Sequence, residues 1–274
     1  MNEEIKEEKK NNKSKLFKSK GEMIVIIILV VLFLSFVSGI FLSPDMYWVT
    51  TAKYTEWKDS DKKDVITAMG EDNTEERFRL YFQYYNVLHE LGHGIIRYNS
   101  YPSLSVADEE QLVNDFAVAY WNYYGEPEKM EELNDILTYA VENVGDNYEK
   151  GVDYLEFARN HSTHDRFDDD FFTFNDYGWF QFSSVKHSIE QNKSLEDVLK
   201  EMGITNFRLG KKTVLRHEMT DETESTAIIN EAVEKFNDWG LYFPQTHQSF
   251  SDDPNMNVSR PFKNFFGIFN LNLF

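Results

Sequence analysis

Hydrophobic positions recur at helical spacing over most of the chain beyond residue 58. Between residues 74 and 98, large apolar side chains are three or four positions apart and proline is absent. Similar spacing predicts further helices, and two short stretches are rich in the residues typical of strands. The predicted helices are 60–69, 74–98, 107–123, 128–144, 177–192, 194–202 and 222–238, and the predicted strands are 171–174 and 213–218. We therefore expect a mainly α fold with a small sheet.

A different pattern occupies residues 23–42, where 20 consecutive residues carry no charge and are rich in Ile, Val, Leu and Phe. As a helix, this run would span about 30 Å, which matches the hydrocarbon core of a bilayer. The run is longer than the apolar stretch of a typical signal peptide, so we expect a retained transmembrane helix. Cleavage is the alternative, because Val37-Ser38-Gly39 offers small residues near the end of the run.

Lysines flank this run unequally, which predicts its orientation. The first 20 residues contain seven lysines, and the 20 residues after Leu42 contain three. The positive-inside rule places the N-terminus in the cytoplasm and the bulk of the chain outside. We expect a disordered cytoplasmic tail over 1–22, a transmembrane helix over 23–42, a juxtamembrane linker that could include a short strand over 43–57, and one folded domain over 58–274.

Composition narrows the class of function. Acidic residues outnumber basic residues by 47 to 28, which gives a formal net charge of −19. Nucleic-acid binding usually needs a basic face, so we expect no nucleic-acid partner. The chain has no cysteine, so a metal site must use histidine and carboxylate ligands. That donor set suits a catalytic zinc better than a structural one.

The candidate chemistry lies in His89-Glu90-Leu91-Gly92-His93, near the C-terminal end of the predicted helix 74–98. Histidines four residues apart share one face of a helix, so both imidazoles can reach the same metal ion. Glu90 lies roughly 100° around the helix from His89. There it can act as a general base on a zinc-activated water without ligating the metal. The glycines in this part of the helix weaken it, so we expect a close neighbour to pack against them.

A third ligand is expected from the next predicted helix, 107–123. Zinc held by two imidazoles usually has one more protein ligand and leaves its fourth position to water. Glu110 is our choice and Glu109 is the alternative, because a helix packed beside the first could present either carboxylate. Asn114 follows Glu110 by one helical turn, and its amide could hydrogen-bond the distal nitrogen of a ligating histidine.

These two motifs resemble the gluzincin branch of the zincin metallopeptidases, and small bacterial metallopeptidases show a similar pair. The motifs are His89-Glu90-Leu91-Gly92-His93 and Glu110-x-x-x-Asn114-x-Phe116-Ala117, within about residues 74–123. The resemblance implies a zincin-like α+β fold and a bound zinc with His89, His93 and Glu110 as ligands and Glu90 as general base. Better-known gluzincins have an aspartate where this chain has Asn114, so the basicity of the ligating histidine could be lower here.

We therefore expect a membrane-anchored, extracytoplasmic zinc metallopeptidase that hydrolyses a peptide or protein substrate. His164 beside Asp165, or alternatively Tyr177, is a candidate for stabilising the oxyanion of the tetrahedral intermediate. Two rival hypotheses stay open. One is a non-catalytic extracytoplasmic module that keeps zinc for stability or for partner binding. The other is a structural membrane protein in which the motif is coincidental.

A second histidine–glutamate pair in the sequence does not repeat the motif. His217-Glu218 begins in the same way as His89-Glu90, but the position four residues after His217 is Asp221 rather than a histidine. The helical face that would hold a metal ion is therefore incomplete at this second pair.

Overall fold

The computed structural model describes residues 46–57, 59–100, 103–145, 149–221 and 223–251. The described residues belong to one compact unit that begins at Met46. The expected cytoplasmic tail over 1–22 and the expected transmembrane helix over 23–42 lie outside the described residues. Within the described ranges, no helix is both long enough and apolar enough to cross a membrane.

Helices make up most of the described chain, which confirms the expectation of a mainly α fold. The α-helices are α1 (Asp59–Met69), α2 (Thr74–Phe78), α3 (Asn86–Asn99), α4 (Val106–Tyr124), α5 (Pro127–Asn143), α6 (Tyr154–Asn160), α7 (Trp179–Gln191), α8 (Leu195–Glu201) and α9 (Thr223–Asp238). Short 3-10 turns lie at Tyr54–Glu56, Glu149–Gly151 and Asp169–Phe171, and π-helical segments lie at Arg79–Tyr85 and Phe174–Gly178.

The sheet joins two segments that are far apart in sequence. Strand β1 (Met46–Ala52) pairs in parallel with strand β2 (Gln245–Ser251) over its whole length, with Met46 opposite Gln245. Residues 46–57 had been expected to lie in the linker 43–57. They belong instead to the same compact unit as the helices, because β2 supplies the hydrogen-bonding partner that makes 46–52 a strand.

The two strands expected elsewhere are wrong. Phe171 ends a 3-10 turn and is buried against other aromatic rings, and the residues that follow it enter a π-helical segment. Residues 213–218 have no regular secondary structure. Leu215 N donates to the Tyr124 carbonyl, and His217 N donates to Glu126 Oε2, so the backbone of this loop bonds to the α4–α5 junction. Aromatic and β-branched residues predicted strands in both places, but no described strand pairs with either segment.

The centre of the fold is the packing of α3 against α4. Residues 74–99 form one uninterrupted helical run, in which the π-helical segment Arg79–Tyr85 connects α2 to α3. Helix α3 packs on α4, and it also contacts β1 and α9, while α4 packs on α7 and α8. Both helices are therefore enclosed, and polar side chains on the faces between them must find partners within the protein.

Candidate metal centre

Helices α3 and α4 bring His89, His93 and Glu110 together in the interior. Glu110 Oε2 lies 3.2 Å from His89 Nε2, and Glu110 Oε1 lies 3.8 Å from His93 Nε2. One potential ligand atom from each of the three residues lies within 4.8 Å of the other two. A tetrahedral zinc with bonds of about 2.0 Å holds its ligand atoms roughly 3.3 Å apart, so these side chains fit a zinc ion after small movements.

Glycine allows α3 to approach its neighbours on two sides. A Cβ atom at Gly92 would lie 3.1 Å from Phe116 Cδ1 on α4. A Cβ atom at Gly94 would lie only 2.5 Å from Phe243 Cζ and 3.1 Å from Tyr47 Cζ on β1. The close neighbours expected for these glycines are therefore side chains of the protein itself, most of them aromatic, with Val113 beside Gly92. This packing fixes the position of the histidine-bearing turn relative to both α4 and the sheet.

Asn114 on α4 holds the ring of His89. Its Oδ1 accepts hydrogen bonds from His89 Nδ1 at 2.6 Å and from Tyr85 Oη at 2.8 Å. Its Nδ2 donates to Gln181 Oε1 at 3.0 Å and to Ser184 Oγ at 2.8 Å. All four hydrogen-bonding positions of this fully buried amide are thus in use. Because Nδ1 of His89 is the donor to the amide oxygen, Nε2 is the ring nitrogen that faces Glu110 and the rest of the cluster.

Glu109, the alternative third ligand, lies on the opposite side of the His93 ring. Its Oε1 is 2.8 Å from His93 Nδ1, whereas Glu110 faces His93 Nε2. Successive residues of a helix point about 100° apart, so two adjacent carboxylates cannot occupy the same position. Glu110 is thus placed to ligate a metal, and Glu109 is placed to orient a ligating histidine.

Gln181 on α7 holds Glu110 and was not singled out in the sequence. Its Nε2 donates to Glu110 Oε2 and to Tyr177 Oη, both at 2.7 Å. It lies four residues after Tyr177 within the predicted helix 177–192. That spacing indicates a shared face, but nothing in one sequence separates a buried glutamine from an exposed one. Tyr85, which donates to Asn114, was missed for a similar reason, because a tyrosine on a buried helix face is usually part of the core.

Burial and neighbouring charges have opposite effects on the pKa values of Glu110 and His93. Burial has the largest effect on Glu110 and raises its pKa, but a hydrogen bond from His89, the charges of both histidines and the Gln181 amide outweigh it and lower the pKa to about 2. Burial lowers the pKa of His93, but the hydrogen bond to Glu109 and the charges of the nearby carboxylates raise it to about 9. A metal cation that binds here must therefore displace a proton from His93.

Glu90 lies beside the cluster and is not one of its converging ligands. Asn86 Nδ2 donates to Glu90 Oε1 at 3.4 Å, and Tyr47 Oη on β1 donates to the Glu90 backbone carbonyl at 2.7 Å. Burial is the largest influence on the Glu90 carboxyl and raises its pKa, while the charges of His89 and His93 lower it. A carboxyl group with a raised pKa beside a set of metal ligands has the properties that general acid–base chemistry needs.

Of the two residues expected to stabilise an oxyanion, only Tyr177 lies near the cluster among the contacts that the structure describes. Tyr177 is buried, accepts a hydrogen bond from Gln181, and has its pKa raised by burial and by the charge of Glu110. The His164 side chain is 59% exposed and lies 4.0 Å from Asp165. The structure therefore brings Tyr177 next to Glu110, whereas the His164 ring projects towards solvent.

Comparison with known proteins adds no relative. The chain matches no family model, no curated protein and no solved structure. The resemblance to gluzincins therefore stays a prediction that depends on the two motifs. The geometry that bears on function is the arrangement of His89, His93, Glu110 and their hydrogen-bonding partners.

Proposed function

We propose that this protein is a membrane-anchored zinc metallopeptidase with an extracytoplasmic catalytic domain of the zincin type. The observation that carries the proposal is the convergence of His89 Nε2, His93 Nε2 and the Glu110 carboxylate in the interior. Each of these groups also has its own partner, respectively Asn114, Glu109 and Gln181. Partners of this kind fix the direction of metal ligands, and a coincidental motif does not require them.

Zinc held by these three residues would polarise a carbonyl group and lower the pKa of a water molecule towards 7. Glu90 would take the proton of that water as it attacks the peptide carbonyl and would pass the proton to the leaving amine. Its raised pKa favours this second step. Tyr177 Oη accepts from Gln181, which leaves its own proton free to stabilise the developing oxyanion.

The position of the domain relative to the membrane follows from the chain that precedes β1. The uncharged run 23–42 is the proposed anchor, and the lysine-rich segment before it is the proposed cytoplasmic side. The substrate would be a peptide or protein outside the cytoplasm.

Replacing the general base while keeping the ligands tests the catalytic role. The full chain, purified in detergent with zinc, is compared with Glu90→Gln and with the control Glu76→Gln, which changes an exposed carboxylate on α2. All three should hold about one zinc per chain by elemental analysis. Glu90→Gln should hydrolyse denatured casein at least ~100-fold more slowly than the other two, because it cannot accept the proton.

Each other outcome rejects a specific part of the proposal. An active Glu90→Gln protein would exclude Glu90 as the general base. Stoichiometric zinc without hydrolysis of casein or of a mixed peptide library by the unmodified chain would favour the non-catalytic zinc module. Absence of zinc in the unmodified chain would make the motif coincidental.

A further inference from the structure

The outer face of the sheet combines exposed apolar side chains with an absence of carboxylates. Met46 and Trp48 are two positions apart on β1, so their side chains point to the same face of the sheet, and they are 42% and 55% exposed. Val49, the next residue, points to the opposite face and is fully buried. Among the residues of β1 and β2, none is acidic and none is Lys or Arg. The whole chain carries 47 acidic residues, so two strands without any form an unusually neutral surface.

A third exposed side chain, that of Tyr242, lies at the end of the sheet where Met46 lies. Tyr242 is 54% exposed and precedes Gln245, the residue that pairs with Met46. Its backbone is fixed to the end of α3, because Tyr242 N donates to Asn99 Oδ1 at 2.8 Å. The three exposed side chains thus project from a rigid part of the fold, although Tyr242 is far from Met46 in sequence.

This end of the sheet is also where the chain arrives from the proposed anchor. Met46 follows Leu42, the last residue of the uncharged run, by four residues. Four residues can span at most about 14 Å, so the start of β1 must stay near the membrane surface if 23–42 crosses the bilayer. Tryptophan and tyrosine favour the headgroup region, where the ring is partly buried and its polar group stays hydrated.

The distribution of charge favours this face over the rest of the domain for contact with a membrane. A net charge of −19 repels the domain from anionic lipid headgroups. A neutral face can approach the bilayer with less repulsion than an acidic face, and apolar side chains gain free energy when they leave water.

We propose that the sheet face formed by Met46 and Trp48, together with Tyr242, docks onto the lipid bilayer next to the anchor. This inference rests on the membrane anchor of the proposed function, but it does not depend on zinc or on hydrolysis. Docking would orient the metal centre as well, because Tyr47 of the same strand donates a hydrogen bond to the Glu90 carbonyl on α3. The domain would then present its site at a fixed angle to the membrane.

Tryptophan fluorescence in brominated vesicles can test the contact with the full chain. Trp57, Trp121, Trp179 and Trp239 are at most 7% exposed, so Trp48 is the tryptophan available for contact with lipid. The chain is reconstituted into phosphatidylcholine vesicles with a minority of phosphatidylglycerol, with or without bromine on the acyl chains near the headgroups. Bromine should quench part of the emission of the unmodified chain and should leave the emission of Trp48→Phe unchanged.

A short tether alone would also keep Trp48 near lipid, so a second probe is needed. Tyr242→Trp in the Trp48→Phe background places the probe about two hundred residues from the anchor, at the same end of the sheet as Met46. Tyr139→Trp in that background is the matched control, because Tyr139 is 40% exposed on α5, which packs mainly on α1 and α7. Docking predicts that the emission of the Tyr242→Trp chain is quenched and that of the Tyr139→Trp chain is not.

The remaining outcomes separate failure of docking from failure of the anchor. A chain that alkaline carbonate washes off the vesicles has no anchor, which overturns both proposals. A chain that stays in the vesicles but shows equal quenching for Tyr242→Trp and Tyr139→Trp overturns docking alone. A blue shift that grows with protein density in the vesicles, without bromine quenching, would assign this face to a second copy of the chain and would also overturn docking.

Discussion

Two buried histidine–glutamate contacts in this protein differ in a way that bears on metal binding. His89 and His217 are 4% and 7% exposed, and each Nε2 lies 3.2 Å from a glutamate oxygen, that of Glu110 or of Glu231. Judged from that distance alone, the two contacts are equivalent. Their surroundings are different, and the surroundings decide which of them can bind a metal ion.

The environment of His89 is complete, and that of His217 is not. Near His89, a second histidine faces the same carboxylate. Near His217, no third ligating residue approaches within the part of the chain that the structure describes. His217 Nε2 and Glu231 Oε2 are close but poorly aligned, and neither atom has a hydrogen-bond partner among the described residues. The comparison teaches that oriented side chains, more than short distances, distinguish a candidate metal centre.

The largest expected effect is on zinc content. His93→Ala removes one of the three proposed ligands and should reduce zinc from about one per chain to near zero. His217→Ala removes the histidine of the other pair and should leave about one zinc per chain. Elemental analysis of the purified, folded proteins measures both. Equal loss of zinc in the two variants would remove the distinction between the two regions.

The next effect is on stability. Asn114→Ala leaves three buried groups without their partner, on His89, Tyr85 and Gln181, while Ser184 keeps its hydrogen bond to Gln111. Each buried unsatisfied group costs about 1–3 kcal/mol and some will find other partners, so we expect the free energy of unfolding to fall by about 3 kcal/mol. Chemical denaturation followed by tryptophan fluorescence measures this change.

The control for that prediction comes from the His217 region. Tyr120 Oη is buried near Trp121 and has no hydrogen-bond partner among the described residues. Tyr120→Phe removes a hydroxyl that stabilises nothing, so the free energy of unfolding should stay within about 0.5 kcal/mol of that of the unmodified chain. A cost as large as that of Asn114→Ala would show that this hydroxyl has a partner in solution, such as water.

The sequence predicted the parts of this fold that depend on local pattern. Long amphipathic helices such as α4 and α5 lie within one or two residues of their expected bounds, because apolar spacing and the absence of proline act over a single segment. Helix α6 was missed, although Asp153, which caps the backbone N–H groups of Leu155 and Glu156, was a usable signal.

The sheet and the outer residues of the site depend on long-range contacts that one sequence does not show. Strand β2 reads QTHQSFS, with no apolar alternation, and it becomes a strand by pairing with β1. The spacing of the motif predicted His89 and His93 as ligands, whereas the choice of Glu110 left Glu109 open as the alternative. The position of Glu109 on the far side of His93, and the contact of Gln181 with Glu110, required the relative rotation of α3, α4 and α7.

A smaller effect on zinc binding is expected when Glu109 is changed. Glu109 hydrogen-bonds the His93 ring, whereas His217 Nε2 has no such partner among the described residues. Glu109→Gln keeps a hydrogen-bond acceptor but removes the charge next to His93 Nδ1. We expect zinc affinity to fall about 10-fold, the lower end of the effect of such partners. Competition with a chelator measures the affinity. The control Glu218→Gln removes an exposed carboxylate next to His217 and should leave zinc affinity unchanged.

The smallest effect lies in the His217 region and depends on pH. Burial, the largest influence, raises the pKa of Glu224, but backbone N–H groups of Met219 and Thr220, the Thr220 hydroxyl and the charge of His217 together lower it below 4.5. A carboxyl whose pKa is lower in the folded state stabilises the protein above the unfolded value, and this contribution is lost as the pH falls through the folded pKa.

Glu224→Gln should therefore be less stable than the unmodified chain at pH 7, and the difference should shrink once the pH falls below the pKa of an unfolded glutamate and disappear below the lower pKa of the folded state. Glu224 is half-buried at the surface, so solvent screening limits the difference at pH 7 to about 0.3 kcal/mol. Denaturant unfolding at a series of pH values measures it. The control Glu234→Gln changes an exposed carboxylate on the same helix. An equal, equally pH-dependent difference in that control would attribute the effect to net charge instead of to the hydrogen bonds that Thr220 donates to Glu224.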